Sequence, residues 1–228
     1  MTVDEMLYAF QEKLNSFNDV PVNLQRTTSD VTYYLNEGQR RIVEYYYSNY
    51  EQSEKARRVL APIAINTDLT RSDVSSTQTG HHPNGEYWKL PTGMLYTLKE
   101  ECTLNIDVNG KVTSTIADYQ RVYTRPITLD TYNRHISNPF KQPYEGCVWR
   151  VDIGNNVANE SLHELITIAG VQIYMYHVAY LNTPAQISIE TSTSSNLLPL
   201  VHQDIVDEAV KIALEIAIMN NNLTNKTK

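Results

Sequence analysis

Residues 96–110, Tyr96-Thr97-Leu98-Lys99-Glu100-Glu101-Cys102-Thr103-Leu104-Asn105-Ile106-Asp107-Val108-Asn109-Gly110, decide how the middle of the chain folds. Tyr96, Leu98, Cys102, Leu104, Ile106 and Val108 all occupy even positions. That is the period of two expected of a half-buried strand, whose successive side chains point to opposite faces. Asn109-Gly110 then supplies two residues that tolerate positive φ, a strong hairpin signal. Adjacent Glu100 and Glu101 must face opposite sides of such a strand, so they cannot act as the paired carboxylates of a glycosidase. One of them is expected to point to solvent.

Further β structure follows on the C-terminal side. Strands are predicted over 111–116, 120–124, 148–152, 162–169, 171–181 and 187–189, with a short helix over 128–135 capped by Thr128. Asn138-Pro139-Phe140 and Gln142-Pro143 read as turns, and Gly170 as a bulge or tight bend between two β-forming runs. On the N-terminal side, residues 66–86 are rich in Ser, Thr, Asp and Gly with almost no apolar residues. They predict a long surface loop, the candidate for an arm that contacts a neighbour.

Helices flank this region. Val3, Met6, Leu7, Phe10, Leu14 and Phe17 keep helical spacing from about Asp4, with Thr2 and Glu5 as a capping box, and Asn18, Asp19 and Pro21 end the helix. A longer helix is predicted over 29–50, capped by Ser29 or Asp30, with Val31, Tyr34, Leu35, Gly38, Ile42, Tyr45 and Tyr46 on one stripe and Arg40, Arg41 and Glu44 opposite. Glu54 to Leu60 extends it before Pro62. The last helix, over about 200–220, carries Ile205, Val206, Ala209, Ile212, Ala213, Ile216 and Ala217 on a wide apolar face. Asp204, Asp207 and Glu208 stand in its first turns, where the helix dipole favours anions. The reading is an α+β chain in which N- and C-terminal helices form a layer around an inserted antiparallel β-barrel or sandwich. Its parts are a helical domain of 1–65 and 198–220, the loop 66–86, a β domain of 87–197 and a flexible tail of 221–228.

With 19 basic and 26 acidic residues the chain of 228 carries a net charge of −7. A protein that holds nucleic acid through phosphates shows a basic excess or stripe, and this chain has neither. Two cysteines make no disulfide framework, and no window approaches the ~20 apolar residues that cross a bilayer. Asp4 and Glu5 stand where a secretory signal wants cations. A reducing, cytoplasm-like compartment is expected, and the three glycosylation sequons at Asn159, Asn222 and Asn225 are chance matches. Tyrosine is over-used, 16 against 3 phenylalanines, and its apolar face with a polar tip suits surfaces buried between subunits.

No catalytic set emerges, and neither metal nor cofactor is expected. A phosphate loop is absent from the 8 glycines. His163-Glu164 lies in a strand without the further ligands zinc needs, and His81-His82 reads as a pair of solvated loop histidines. Cys147 sits in a buried-looking strand, where a packed thiol is the default over a nucleophile. His177 is expected to be a satisfied core histidine.

Two segments carry a resemblance. The first is Arg125-Pro126-Ile127-Thr128 to Tyr132-Asn133, Asn138-Pro139-Phe140 and Val148-Trp149-Arg150-Val151-Asp152. The second runs from Ile173-Tyr174 through Tyr180-Leu181 and Pro184 to Leu198-Pro199, His202 and Ile205-Val206-Asp207-Glu208-Ala209-Val210. Over about residues 28–220 the pattern resembles the head-to-tail connector (ring or adaptor) proteins of crAss-like bacteriophages, similar to the tail tubular proteins of short-tailed phages. The resemblance implies a virion structural protein and not an enzyme, made in the host cytoplasm and placed at the head–tail junction. It implies a ring, twelve-fold, beneath the portal protein, joined to an adjacent tail or ring protein. Genomic DNA would pass through the channel without specific binding, past a net-negative lumen, with no membrane involved. Partner docking would fall on Arg40, Arg41 and Tyr45 of the long helix and on Asn221, Asn222, Leu223 and Thr224 of the tail. The competing reading is a stand-alone β-sandwich binding module that uses Trp88 or Tyr87 as an exposed stacking platform for carbohydrate.

Overall fold

A computed structural model of the chain describes residues 1–17, 27–136, 138, 141–155 and 160–226. In chain order its elements begin with α1 (Val3–Ser16), α2 (Thr28–Ser48), α3 (Glu54–Leu60), β1 (Ala64–Thr70), β2 (Val74–Thr79), β3 (Gly85–Lys89) and β4 (Met94–Leu104). They continue with β5 (Gln120–Ile127), α4 (Leu129–His135), β6 (Cys147–Asn155), β7 (Ser161–Ile166), β8 (Ile173–Asn182) and α5 (His202–Lys226). Two compact units result, Met1–Ile63 with Thr183–Lys228, and Ala64–Asn182. The architecture is α+β, with helices at both ends of the chain and a curled, mostly antiparallel sheet between them.

In the helical unit each start is fixed by a side chain. Thr2 and Glu5 form the expected capping box at α1. α2 begins earlier than Ser29 or Asp30 predicts, because the Thr27 hydroxyl accepts the Asp30 N–H while the Asp30 carboxylate accepts the Thr27 N–H. The buried stripe of α2 runs through Val31, Tyr34, Leu35, Gly38, Val43 and Tyr46. Ile42 and Tyr45, placed on that stripe by spacing, instead lie at its margin, and Tyr45 is 63% exposed. α2 packs on α5, whose Ile205, Val206, Ala209, Ile212, Ala213 and Ala217 are buried. Gly38 allows the close approach: a Cβ there would stand 2.8 Å from the Ile205 carbonyl oxygen.

Residues 187–189 form no strand. Asn36 brackets Ile187 on both sides, donating to its carbonyl at 2.8 Å and accepting its N–H at 2.9 Å, and Gln39 donates to the Ala185 carbonyl. This segment therefore completes the helical unit instead of the sheet. α5 runs to Lys226, so the stretch expected as a flexible polar tail from 221 is helical over 221–226, while Thr227 and Lys228 are not described. Those two residues, the breakers Asn18, Asp19 and Pro21, and Pro139-Phe140 of the expected turn lie outside the described residues.

The second unit is one eight-stranded sheet in the order β1-β8-β4-β5-β6-β7-β3-β2. All neighbours are antiparallel except β5 and β6, which run parallel and are joined through α4. β1 and β2 sit at opposite edges although only the 3₁₀ turn Arg71–Asp73 separates them, so the sheet curls on itself. The Arg71 guanidinium stitches the two ends, donating to Glu86 beside β2 and to the Ile173 carbonyl of β8. The expected loop 66–86 is thus mostly strand. Edge strands need few apolar anchors, here Leu69, and Thr-rich segments suit a pleated, solvated edge.

Trp88, Cys102, Leu104, Ile106, Val148, Leu165 and Tyr176 fill the concave interior. Ile127, Tyr132, Cys147, Trp149, Val151 and Ile166 form a second core on the convex face under α4, which Thr128 caps as expected. The alternation read from Tyr96 onward holds only from Glu100 to Ile106: a register shift between Thr97 and Lys99 sets Tyr96 opposite Leu181, on the other face from Cys102 opposite Tyr176, and beyond Ile106 Val108 is 82% exposed. The predicted strand 111–116 does not form. A single bridge, Ile106 to Val112, closes the turn, and the Asp107 carboxylate accepts the N–H groups of Asn109 and Lys111. Gly170 makes the expected bend with φ +83°.

Candidate subunit interface

The face where α2 and α5 meet solvent gathers three of the residues expected to dock partners. Helical spacing puts Glu37, Arg40, Arg41 and Glu44 on consecutive turns. Arg40 donates to Glu37 at 2.6 and 2.9 Å and pairs with Glu44. Arg41 reaches across to α5, 3.1 Å from Glu208 and 3.5 Å from Glu215. Lys211 donates to the other Glu208 oxygen at 3.0 Å, and Lys13 of α1 pairs with Asp207. Arg41, Ile42, Tyr45, Asp207, Glu208 and Lys211 line a groove of about 490 Å³, over which the exposed Tyr45 ring meets Tyr46 edge-on at 5.3 Å.

The electrostatics of this face are self-compensated. The hydrogen bond to Glu208 holds the Arg41 guanidinium more firmly protonated than usual. Burial pushes the Glu208 carboxyl up, but hydrogen bonds from Lys211 and Arg41 outweigh it and leave Glu208 below the usual carboxylate range. Arg40 holds Glu37 low in the same way, chiefly by its hydrogen bond. A mosaic of paired charges around an aromatic lip fits a protein surface better than a polyanion. Asn221, Asn222, Leu223 and Thr224 belong to the far end of α5, and their side chains lie outside the description.

The chemically suggestive residues of the sheet unit are tied into structural networks. Glu100 points into the concave interior, where its carboxylate takes both Arg150 Nε and Nη2 at 3.2 and 3.0 Å and the Tyr176 hydroxyl. His163 Nδ1 stands 3.3 Å from the same carboxylate. Burial raises the Glu100 pKa, yet the His163 hydrogen bond, the Arg150 charge and the Tyr176 hydroxyl together bring it below the ordinary value. Glu101 faces the other way, paired with Lys99 and Arg121, as the strand alternation requires.

Glu164, fully buried on the convex face, accepts the His82 backbone N–H at 2.7 Å and lies 2.8 Å from His82 Nδ1. His82 is therefore not a solvated loop histidine; its side chain is 8% exposed and packs against Tyr132, the rings tilted at 49° with centroids 3.7 Å apart. His177 is satisfied but faces a shallow surface groove instead of the core, bridging Asp68 at 2.6 Å and Thr103 at 2.8 Å. Cys147 is packed as expected. Burial pushes its thiol up and pushes Cys102 up to about 12, so neither is a thiolate near neutral pH.

Trp88 is fully buried and Tyr87 9% exposed, which removes the stacking platform on which the binding-module reading relied. Sequence reasoning missed the Glu100–Arg150 pair, although Glu100 shares its parity with Cys102 and Leu104 and so had to point inward. Among the described residues no cluster of His, Cys, Asp or Glu is arranged to hold a metal ion. None of the described helices is long and apolar enough to cross a membrane.

Comparison with known proteins agrees with a structural role. The sequence model of the family described as "Phage tail ring protein 3/4" matches residues 1–228. The chain is 25% identical over 234 residues to Ring protein 3 of Bacteroides phage crAss001, across 94% of this chain and 95% of that protein. It is 30% identical over 103 residues to Ring protein 4/5 of the same phage, across 39% of this chain and 42% of that one.

Proposed function

This chain belongs to the phage tail ring protein 3/4 family, and on that premise we propose that it is a connector subunit that assembles, twelve to a ring, beneath the portal at the head–tail junction. Copies join head to tail, since a heterologous interface closes into a ring when the rotation per subunit fits. The ring extends the DNA channel and offers its far face to an adjacent tail or ring protein. The observation that carries the reading is the family match over the whole sequence. The α2–α5 face supports it, with an aromatic lip at Tyr45 beside charges that are largely paired within the chain, Arg40 with Glu44 and Arg41 with Glu208. A net charge of −7 keeps the passing DNA from adhering.

In this reading Arg40, Arg41 and Tyr45, with the end of α5 from Asn221 to Thr224, meet the portal. Light scattering and negative-stain imaging of the purified protein, alone and mixed with its phage's portal, test it. A ring, or a portal complex that gains one subunit per portal chain, supports the assignment. A monomer indifferent to the portal and to the neighbouring tail proteins overturns it. Deleting residues 221–228 should leave both units folded and weaken portal capture; unchanged capture moves the docking face elsewhere.

A further inference from the structure

The turn after β4 does something its sequence did not announce. From Asn105 to Tyr119 it is braced at every level. Asn105 exchanges hydrogen bonds with Gln172, the Asp107 carboxylate holds two backbone N–H groups, and Thr113 donates to the Asn105 carbonyl. Ile106 plugs the base of the turn at 2% exposure. Yet this well-held loop presents Val108, Val112 and Ile116 to solvent at 82%, 58% and 60%. Branched apolar residues on a rigid loop are pre-organised for contact, because little conformational freedom remains to be lost on binding. The apolar surface continues beside it: Glu145 packs against Gly110, and the exposed Tyr144 hydroxyl is 2.8 Å from that of Tyr123. The charged rim is acidic, Asp118 and Glu145 against Lys111.

A surface of the opposite kind lies on the helical unit. Leu198 and Leu200 floor a groove of about 510 Å³ whose rim is Lys55 and Arg58 of α3 against a single Glu54. Leu200 is 56% exposed. One chain thus carries an apolar knob with an acidic rim and an apolar groove with a basic rim.

We propose that the β4–β5 turn of one copy, led by Val108, Val112 and Ile116, seats in the α3 groove of a second copy over Leu198 and Leu200. This inference rests on the ring reading above and specifies its subunit contact. Complementary charge selects a second copy as occupant, and two different surfaces on one chain make the contact heterologous, so it propagates from subunit to subunit.

The test uses the full chain carrying Val108→Cys and Leu200→Cys together, oxidised mildly and run on a non-reducing gel. Cys102 and Cys147 are buried and stay silent. A ladder of multiples is expected from the double variant and not from either single one. Ile116→Asp should weaken self-association about tenfold or more, as expected for a central apolar contact, with circular dichroism unchanged. Lys55→Glu with Arg58→Glu should weaken it as well, and Asp118→Lys with Glu145→Lys should restore it. Wild-type rings with no ladder and no effect of Ile116→Asp overturn this contact while leaving the ring reading intact. A wild-type chain that never self-associates, alone or with its virion neighbours, takes down both. Rings that survive Ile116→Asp but no longer capture the adjacent tail protein overturn the second-copy occupant.

Discussion

The α2–α5 seam and the interior of the curled sheet both use ionic side chains, but they place them on opposite sides of the apolar core. At the seam the core closes tightly around Gly38, and the charges form a partly exposed outer rim. Inside the sheet His163 and Tyr176 are core residues, and the largely buried side chains of Glu100 and Arg150, 6% and 15% exposed, join them. Exposed pairs are individually weak and exchangeable, whereas a buried pair costs desolvation and tolerates no missing member. The seam can therefore change its charges without losing its fold, which suits a docking face. The sheet interior cannot.

Four experiments press on this contrast. Arg150→Ala should cost the most, about 3–5 kcal/mol by urea unfolding, because it strands Glu100 at 6% side-chain exposure. Replacing both members, Glu100→Leu with Arg150→Met, should recover most of that loss. If the single variant is silent, the interior network is ornamental and the contrast fails. Gly38→Val should cost about 2 kcal/mol by overpacking, since the obstacle is the Ile205 carbonyl and the Ala209 N–H and not a movable side chain. Thr27→Ala should cost about 1 kcal/mol through loss of the α2 cap. Arg40→Ala should cost about 0.5 kcal/mol or less, the range of exposed helix pairs, while portal capture falls. Equal losses of stability for Arg40 and Arg150 variants would erase the distinction.

Acid titration sharpens the same comparison without mutation. Glu37, Glu100 and Glu208 all titrate below the ordinary glutamate value of about 4.3 in the folded chain. The unfolded chain therefore takes up protons first as the pH falls. The stability they supply is complete above about pH 4.3 and is lost as the pH drops through their lower folded values. The thermal midpoint should slip gently below about pH 6.5, where burial keeps His135 from taking up the proton its unfolded form accepts, and fall more steeply below about pH 5. In Glu100→Leu/Arg150→Met the fall should be shallower, and a fall of unchanged depth would assign it to the seam.

The helices were legible because each rests on a local rule: Thr2 with Glu5 at α1, apolar spacing along α2 and apolar spacing along α5. The central strand was legible from Glu100 to Ile106 for the same reason, but the bulge between Thr97 and Lys99, which reverses the facing of Tyr96, left no mark in the alternation. What escaped depends on distant partners. Residues 66–86 have the composition of a loop and become strands because β8 and β3 offer them edges. Ile187 is strand-like by propensity and is held by Asn36 instead. His82 looks solvated until Glu164, 82 positions away, closes on it. The geometry of the proposed docking face was half legible. Arg40 and Arg41 could be placed on one helix, but their anchoring by Glu208 and Glu215 required the packing of α5. The exposed turn at Val108 was misread as a continuing strand, since alternation cannot say where pairing stops.

One feature of the topology bears on how such a subunit is made. The sheet unit is contiguous, Ala64–Asn182, whereas the helical unit is split around it. During synthesis the sheet can close as soon as β8 leaves the ribosome. α1 and α2 must wait, with the Gly38 stripe uncovered, until α5 (His202–Lys226) emerges. The groove at Arg41 and Glu208 does not exist before then, because α5 supplies one of its walls. A nascent chain cannot offer that face to a partner before it has been translated through α5.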